Sequence, residues 1–190
     1  MQVAEEVLFD LEAAAYLLRY PEGEWWDVAP NILRLVADGD VPTIRQALQT
    51  HLQEAFAAMA ADGVEAAQEE YTRLFISDLP YAPCRPVEAF YLEEAGAGRS
   101  TSEVAGTYEK HGVTAQELPP DHVVSELAFL GHLLLRGDLQ AMTDAAAFGE
   151  RHLLEWLPKW VAGVAQHARQ PFYAKAAAYA LAAVKAAQDA

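Results

Sequence analysis

Only one cysteine, Cys84, occurs in the 190-residue chain, which excludes an internal disulfide and any Cys-x-x-Cys redox or zinc site. Cations are scarce as well. The 13 Lys and Arg face 28 Asp and Glu, for a formal charge of −15. Such a field repels a phosphate backbone or an anionic membrane and draws in basic ligands. No apolar run approaches the roughly 18 residues of a membrane span, and Lys175 and Lys185 interrupt even the alanine-rich tail. The first ten residues carry Glu5 and Glu6 where a secretory signal would carry bases. These absences point to a cytoplasmic protein with no nucleic-acid partner and no stable membrane insertion. Sustained apolar/polar alternation is also missing, which argues against half-buried strands.

What remains is a helix-forming composition, 53% hydrophobic and rich in alanine, long enough for one core and short for two. The expectation is an all-α, single-domain bundle over residues 1–190, of about nine to eleven helices, with a proline-rich loop after the fourth. The one place for a subdivision is the glycine linker at 96–99. Apolar residues at steps of three and four mark the helices: Leu8, Leu11, Ala15 and Leu18 first, then Trp25, Ala29, Ile32 and Val36, with Pro30 expected to kink or restart that segment. A third stripe runs from Ile44 to Met59. Asp62 with Glu65, and Ser100 with Glu103, read as capping boxes. Later stripes begin near Val123, Leu139, Pro158 and Pro171, and Gly137 ends the first of them.

Two stretches stand apart from this plain helical pattern. In Glu70–Tyr91 a helix is expected to stop at Phe75, because Pro80, Pro83 and Pro86 remove backbone donors and push their neighbours towards extended geometry. Ile76, Leu79, Tyr81 and Val87 make this loop apolar, as a segment packed on the body or offered to a partner would be. A short helix over 87–94 is expected to follow. In Glu117–Phe129 a helix is expected to start at Pro120 or Asp121, with Asp121 at its positive end and His122 and Glu126 one turn apart on the same face. That arrangement is either a surface ion pair or a set of acceptors beside Phe129, suited to a basic peptide followed by apolar residues.

Enzyme signatures are absent: no G-x-S-x-G, no Walker loop, no H-E-x-x-H, and no glutamate followed three positions later by histidine. Neither a catalytic residue, a metal ligand nor a cofactor is assigned. Gly96-Ala97-Gly98 lacks the last glycine of a nucleotide fingerprint and follows a helix, and Cys84 has only Arg85 beside it to lower its pKa. A nucleotide-binding or hydrolytic protein using that linker or that thiol is the alternative from another class.

Together the two stretches resemble the TorD/DmsD/NarJ family of redox-enzyme maturation chaperones, on the TorD and DmsD side. The resemblance rests on Tyr71-Thr72-Arg73-Leu74-Phe75, Pro86 to Leu92, Tyr108 with Gly112, Pro120-Asp121-His122 with Glu126-Leu127 and Phe129, and His152-Leu153 with Trp156 to Pro158. Leu17 to Pro21 is similar to the family's opening helix. Ser77-Asp78, Val87 and Ala89 depart from its usual residues. The resemblance implies a cytoplasmic, non-enzymatic chaperone. Its client would be the catalytic subunit of a molybdopterin-containing oxidoreductase, whose twin-arginine leader and apo form it would hold until cofactor insertion. A NarJ-type assembly chaperone for a non-exported molybdoenzyme is the second reading. The family's peptide-binding surface corresponds here to Tyr71, Leu74, Phe75, Pro86, Glu117, Asp121, His122 and Glu126, with Leu74 and Phe75 expected mainly in the core. Monomers and domain-swapped homodimers both fit the resemblance.

Overall fold

The computed structural model describes residues 2–38, 43–77, 81–92 and 99–189. Among them every regular element is helical: α1 (Gln2–Leu17), α2 (Trp25–Asp38), α3 (Thr43–Asp62), α4 (Val64–Tyr71), α5 (Ala89–Leu92), α6 (Arg99–Lys110), α7 (Val123–Arg136), α8 (Leu139–Phe148), α9 (Leu157–His167) and α10 (Pro171–Gln188). Two π-turns extend α4 over Thr72–Ile76 and α8 over Gly149–Leu154. The all-helical bundle expected from the sequence is therefore what is found. No helix is long and apolar enough to cross a membrane, among the described residues.

The bundle is built on α1. Val7, Leu11, Ala13, Ala14 and Leu17 of this helix are all buried, while Glu5 and Glu12 face solvent. It packs chiefly on α7 and α10, and Gly131 of α7 lets the two backbones close: a Cβ there would stand 3.4 Å from Leu8 Cδ1. Asp10, the one acid on this buried face, accepts a 2.6 Å hydrogen bond from the Tyr179 hydroxyl of α10. Burying a charge without such a donor is costly.

Aromatic rings in edge-to-face contact run through the middle of the bundle. Trp25 and Phe56 meet Phe172, Phe172 meets Tyr173, and Tyr173 meets Tyr71 and Phe75, which touches Trp160. One continuous core takes in residues from α1 to α10, including Cys84 of the proline-rich loop. The linker at 96–98 lies outside the described residues.

Several local expectations change. α2 passes through Pro30 without a restart; the Asn31 side chain donates to Asp27 O at 2.8 Å on the same turn. Asp62 does not cap α4. It is the last residue of α3, and Gly63 makes the corner at φ 93°, ψ 168°, a conformation that favours glycine. The start of α6 adjoins residues outside the described ones, where the Ser100 and Glu103 capping box falls, and Glu103 pairs with Arg151 at 3.0 Å. The helix expected to stop at Phe75 runs one residue further, because the wider π-turn carries it to Ile76 before Ser77 becomes extended. The helix expected over 87–94 starts at Ala89, since Val87 is engaged elsewhere, and residues 93–94 lie outside the described ones.

Two glycines give opposite outcomes. Gly63→Ala is expected to lower stability by about 1–3 kcal/mol through its positive φ. Gly106→Ala, within α6 and facing open space, is expected to raise it by about 0.5–1 kcal/mol. Urea denaturation of both variants checks this, and an unaffected Gly63→Ala contradicts the corner.

Candidate functional site

The two unusual stretches meet. Val87 and His122 form an isolated antiparallel bridge, in which Glu88 N–H donates to Asp121 O and Val123 N–H donates to Pro86 O, both at 2.9 Å. Proline suits the Pro86 position, because there only its carbonyl is used. The Asp121 carboxylate adds a bond at 3.3 Å from Ala89 N–H. This seam fastens the end of the proline-rich loop to the first turn of α7.

The seam also sets where α7 begins. Its N-cap is His122, whose Nδ1 accepts from Val124 N–H at 3.2 Å, so the helix starts at Val123 rather than at Pro120 or Asp121. Burial pushes the His122 pKa down to about 4, and the capping bond uses the Nδ1 lone pair, so the ring is neutral at pH 7. The surface ion pair considered for His122 and Glu126 is therefore not formed: both residues are buried, and Glu126 is fully so.

Glu126 belongs to a buried polar cluster behind the seam. Trp156 Nε1–H donates to Glu126 Oε2 at 3.1 Å, and His152 Nδ1 lies 3.0 Å from Glu88 Oε2. Burial, followed by the neighbouring Glu88 carboxylate, holds the Glu126 carboxyl well above the usual carboxylate range. Sequence reasoning placed Glu126 on a binding face and gave Glu88, His152 and Trp156 no part in the site. The available signal was that Glu88 stands within the apolar stretch Pro86-Val87-Glu88-Ala89-Phe90. Among the described residues no group of three or more His, Cys, Asp or Glu has the arrangement of a metal site.

In front of the seam lies an open groove of about 930 Å³. Tyr71, Phe75, Pro86, Glu117 and His122 line it, while Leu74, Asp121 and Glu126 stand behind the wall. Leu74 is wholly buried and Phe75 nearly so. Tyr71 is fixed by its hydroxyl, which donates to Leu18 O at 3.1 Å. The π-turn beneath the groove is clamped by Arg73, which donates to both Glu70 oxygens at 2.9 Å and to His167 O at 2.7 Å, while Glu70 accepts from Arg169 N–H.

The opposite wall, missed in the sequence, is the α1–α2 corner. It supplies Tyr16, Arg19, Tyr20, Glu22, Glu24 and Trp25. Trp25 Nε1–H donates to Tyr16 O, and Trp26 Nε1–H and Gln68 Nε2–H both donate to Pro21 O, at 3.0–3.1 Å, so the corner is held rigid. The cluster Tyr20-Pro21-Glu22-Gly23-Glu24-Trp25-Trp26, acids between aromatics beside a proline, was its sequence signal. Glu22, Glu24 and Glu117 are exposed at the rim, and Ile76 and Leu118 present apolar surface.

Cys84 is not part of this surface. It is wholly buried, its backbone carbonyl accepts from Trp160 Nε1–H, and burial pushes its thiol up to about 11. The neighbouring Arg85 does not activate it, and a thiol so protonated and sealed is no nucleophile.

The family model for the nitrate reductase delta subunit matches residues 39–162, which take in the proline-rich loop, the seam and the buried cluster but not the α1–α2 corner. Among solved structures, one from Archaeoglobus fulgidus, assigned as a redox enzyme maturation protein, aligns with a TM-score of 0.64 at 22% identity, over 94% of this chain and 91% of that one. It shares the fold. No individually curated protein matches the chain.

The neutral, capping His122 has a pH signature. Its folded pKa lies below its unfolded value of about 6.5, so its contribution is complete above that pH and is lost as pH falls towards about 4. Within that window it adds a slope of up to about 1.4 kcal/mol per pH unit. His122→Asn keeps a capping acceptor but removes the titration. Denaturation between pH 7 and pH 4 is expected to show a shallower acid slope for this variant, and equal slopes contradict the assignment.

Proposed function

The chain belongs to the nitrate reductase delta subunit family, and we propose that it is a non-enzymatic maturation chaperone for the catalytic subunit of a molybdopterin-containing oxidoreductase. The groove takes a basic segment of the apo form, namely the twin-arginine leader. The chaperone acts in the cytoplasm, holding the client back until its cofactor is inserted.

The observation that carries this reading is the pairing of three exposed rim carboxylates, Glu22, Glu24 and Glu117, with an aromatic lining of Tyr16, Tyr20, Trp25, Tyr71 and Phe75. A guanidinium pair followed by apolar residues needs such a receptor: carboxylates that accept bidentate bonds, and rings for the stems and apolar side chains to cover. The formal charge of −15 steers the peptide in. The groove is largely preformed, since its corner and its π-turn are both hydrogen-bonded in place, so little ordering entropy opposes binding. Asp121 and Glu126 support this wall from behind and do not meet the client, so substituting them tests stability rather than recognition.

The same family model is equally compatible with a second reading, a NarJ-type assembly chaperone for a non-exported molybdoenzyme.

Calorimetry separates the readings. A twin-arginine leader peptide is expected to bind the full chain with an affinity that falls as salt rises, and to lose roughly 10²- to 10⁴-fold when both arginines become alanine, at about 1.5–3 kcal/mol for each charged hydrogen-bonding group. Glu22→Gln with Glu24→Gln is expected to weaken binding without moving the melting temperature. Equal affinity for the twin-arginine and twin-alanine peptides supports the second reading, and binding by neither leader contradicts both.

A further inference from the structure

Acids are not the only charges on the groove. Arg85 of the proline-rich loop stands on the wall opposite Glu22 and Glu24 of the α1–α2 corner, with its side chain exposed. The backbone on either side of it is held. Cys84 N–H donates to Leu74 O at 3.0 Å, Cys84 O accepts from Trp160 Nε1–H at 3.1 Å, and Pro86 O accepts from Val123 N–H at 2.9 Å. The side chain therefore leaves the loop from a fixed point.

Two rings keep its head in place. The guanidinium carbon lies 5.8 Å from the centroids of both Tyr81 and Phe90, which are exposed and stand outside the groove lining. Arg85 thus marks the loop-side edge of the groove, and exposed Ile76 adds apolar surface beside it. Its five N–H donors have no acceptor, and no carboxylate lies within ion-pair distance, among the described residues. That is unusual company for a cation in this acidic chain: Arg73, Arg136 and Arg151 each pair with a carboxylate at 2.9–3.0 Å. The other arginine of the groove, Arg19, shares its wall with Glu22 and Glu24, whose charges outweigh it.

We propose that Arg85, steadied by Tyr81 and Phe90, is a carboxylate subsite at the loop edge of the groove. The client segment carries an Asp or Glu near its basic pair, and this acid accepts bidentate bonds from the guanidinium while neighbouring apolar side chains cover Tyr81, Phe90 and Ile76. The groove then reads charges of both signs, the corner acids meeting the basic pair and Arg85 meeting the acid. A client is selected by the order of its charges, and a merely basic segment is disfavoured by Arg85. The inference rests on the reading of the groove as a site for a basic segment and adds a second recognition element to it.

Calorimetry against the full chain tests this with three acetylated, amidated peptides that share the arginine pair: one flanked by alanines, one with two glutamates ahead of the pair and one with two glutamates after it. Against a charge of −15, added glutamates weaken binding unless a cation receives them. One glutamate peptide is expected to bind at least ~3-fold tighter than the alanine peptide, within what a favourable exposed ion pair supplies. Arg85→Gln is expected to bring that ratio to ~1 or below. Arg85→Glu is expected to raise the preference for the lysine version of the same peptide over the glutamate version at least ~10-fold above its value for the unaltered chain, whereas Lys185→Glu, exposed on α10 outside the groove, shifts it by ~2-fold or less. If neither glutamate peptide gains on the unaltered chain, if the gain survives Arg85→Gln, or if Lys185→Glu shifts the preference as much as Arg85→Glu, the subsite is overturned and the groove reading stands on the alanine peptide. If none of the three peptides binds, both readings fall.

Discussion

Two backbone hydrogen bonds between Pro86–Glu88 and Asp121–Val123 decide where almost everything else in this molecule can be. They join the end of the proline-rich loop to the first turn of α7, and they leave His122 in the extended conformation a helix cap needs. With the seam closed, Glu88 points inward and must find partners there. His152 and Trp156, carried by the second π-turn and the turn that follows it, complete a cluster in which burial holds the Glu126 carboxyl well above the usual range. With the seam open, three buried carboxylates would face no organised donors, which is why the loop and α7 stand or fall together.

The groove is a by-product of the same constraint. Its inner wall is the outer face of the seam, Pro86, Val87 and His122, and its floor is the π-turn that ends at Ile76. The α1–α2 corner closes the other side, held by indole and amide donors to Tyr16 O and Pro21 O. Rigid walls of this kind cost little to preserve on binding, so recognition depends on the chemistry of the rim. There the acids are exposed and free of the burial that raises the Glu126 pKa. The buried acids hold the wall in place and the exposed acids meet the ligand, a division that burial alone enforces.

Much of this was legible in the sequence. The helical stripes, the proline-rich loop after α4 and the importance of residues 70–91 and 117–129 follow from periodicity, prolines and a few out-of-place side chains. What periodicity could not supply was depth. His122 and Glu126 sit one turn apart in either case, and only the tertiary seam decides that they face inward. The π-turn at Thr72–Ile76 is set by the Arg73 clamp to Glu70 and His167, a contact spanning 94 positions. Asp62 and Glu65 match a capping box, yet the corner between α3 and α4 demanded a positive φ that only Gly63 provides cheaply. The α1–α2 corner was missed because its acids and aromatics gain meaning only from the wall they face.

The central claim is that the groove between the seam and the α1–α2 corner is where a basic client segment lies. Hydrogen–deuterium exchange of the full chain, with and without a saturating twin-arginine leader peptide, addresses it most directly. Slowed exchange confined to residues 16–25, 71–76, 85–87 and 113–125, with α8 to α10 unchanged, is the predicted result. Protection centred on α8 to α10, with those segments unaltered, would contradict the account.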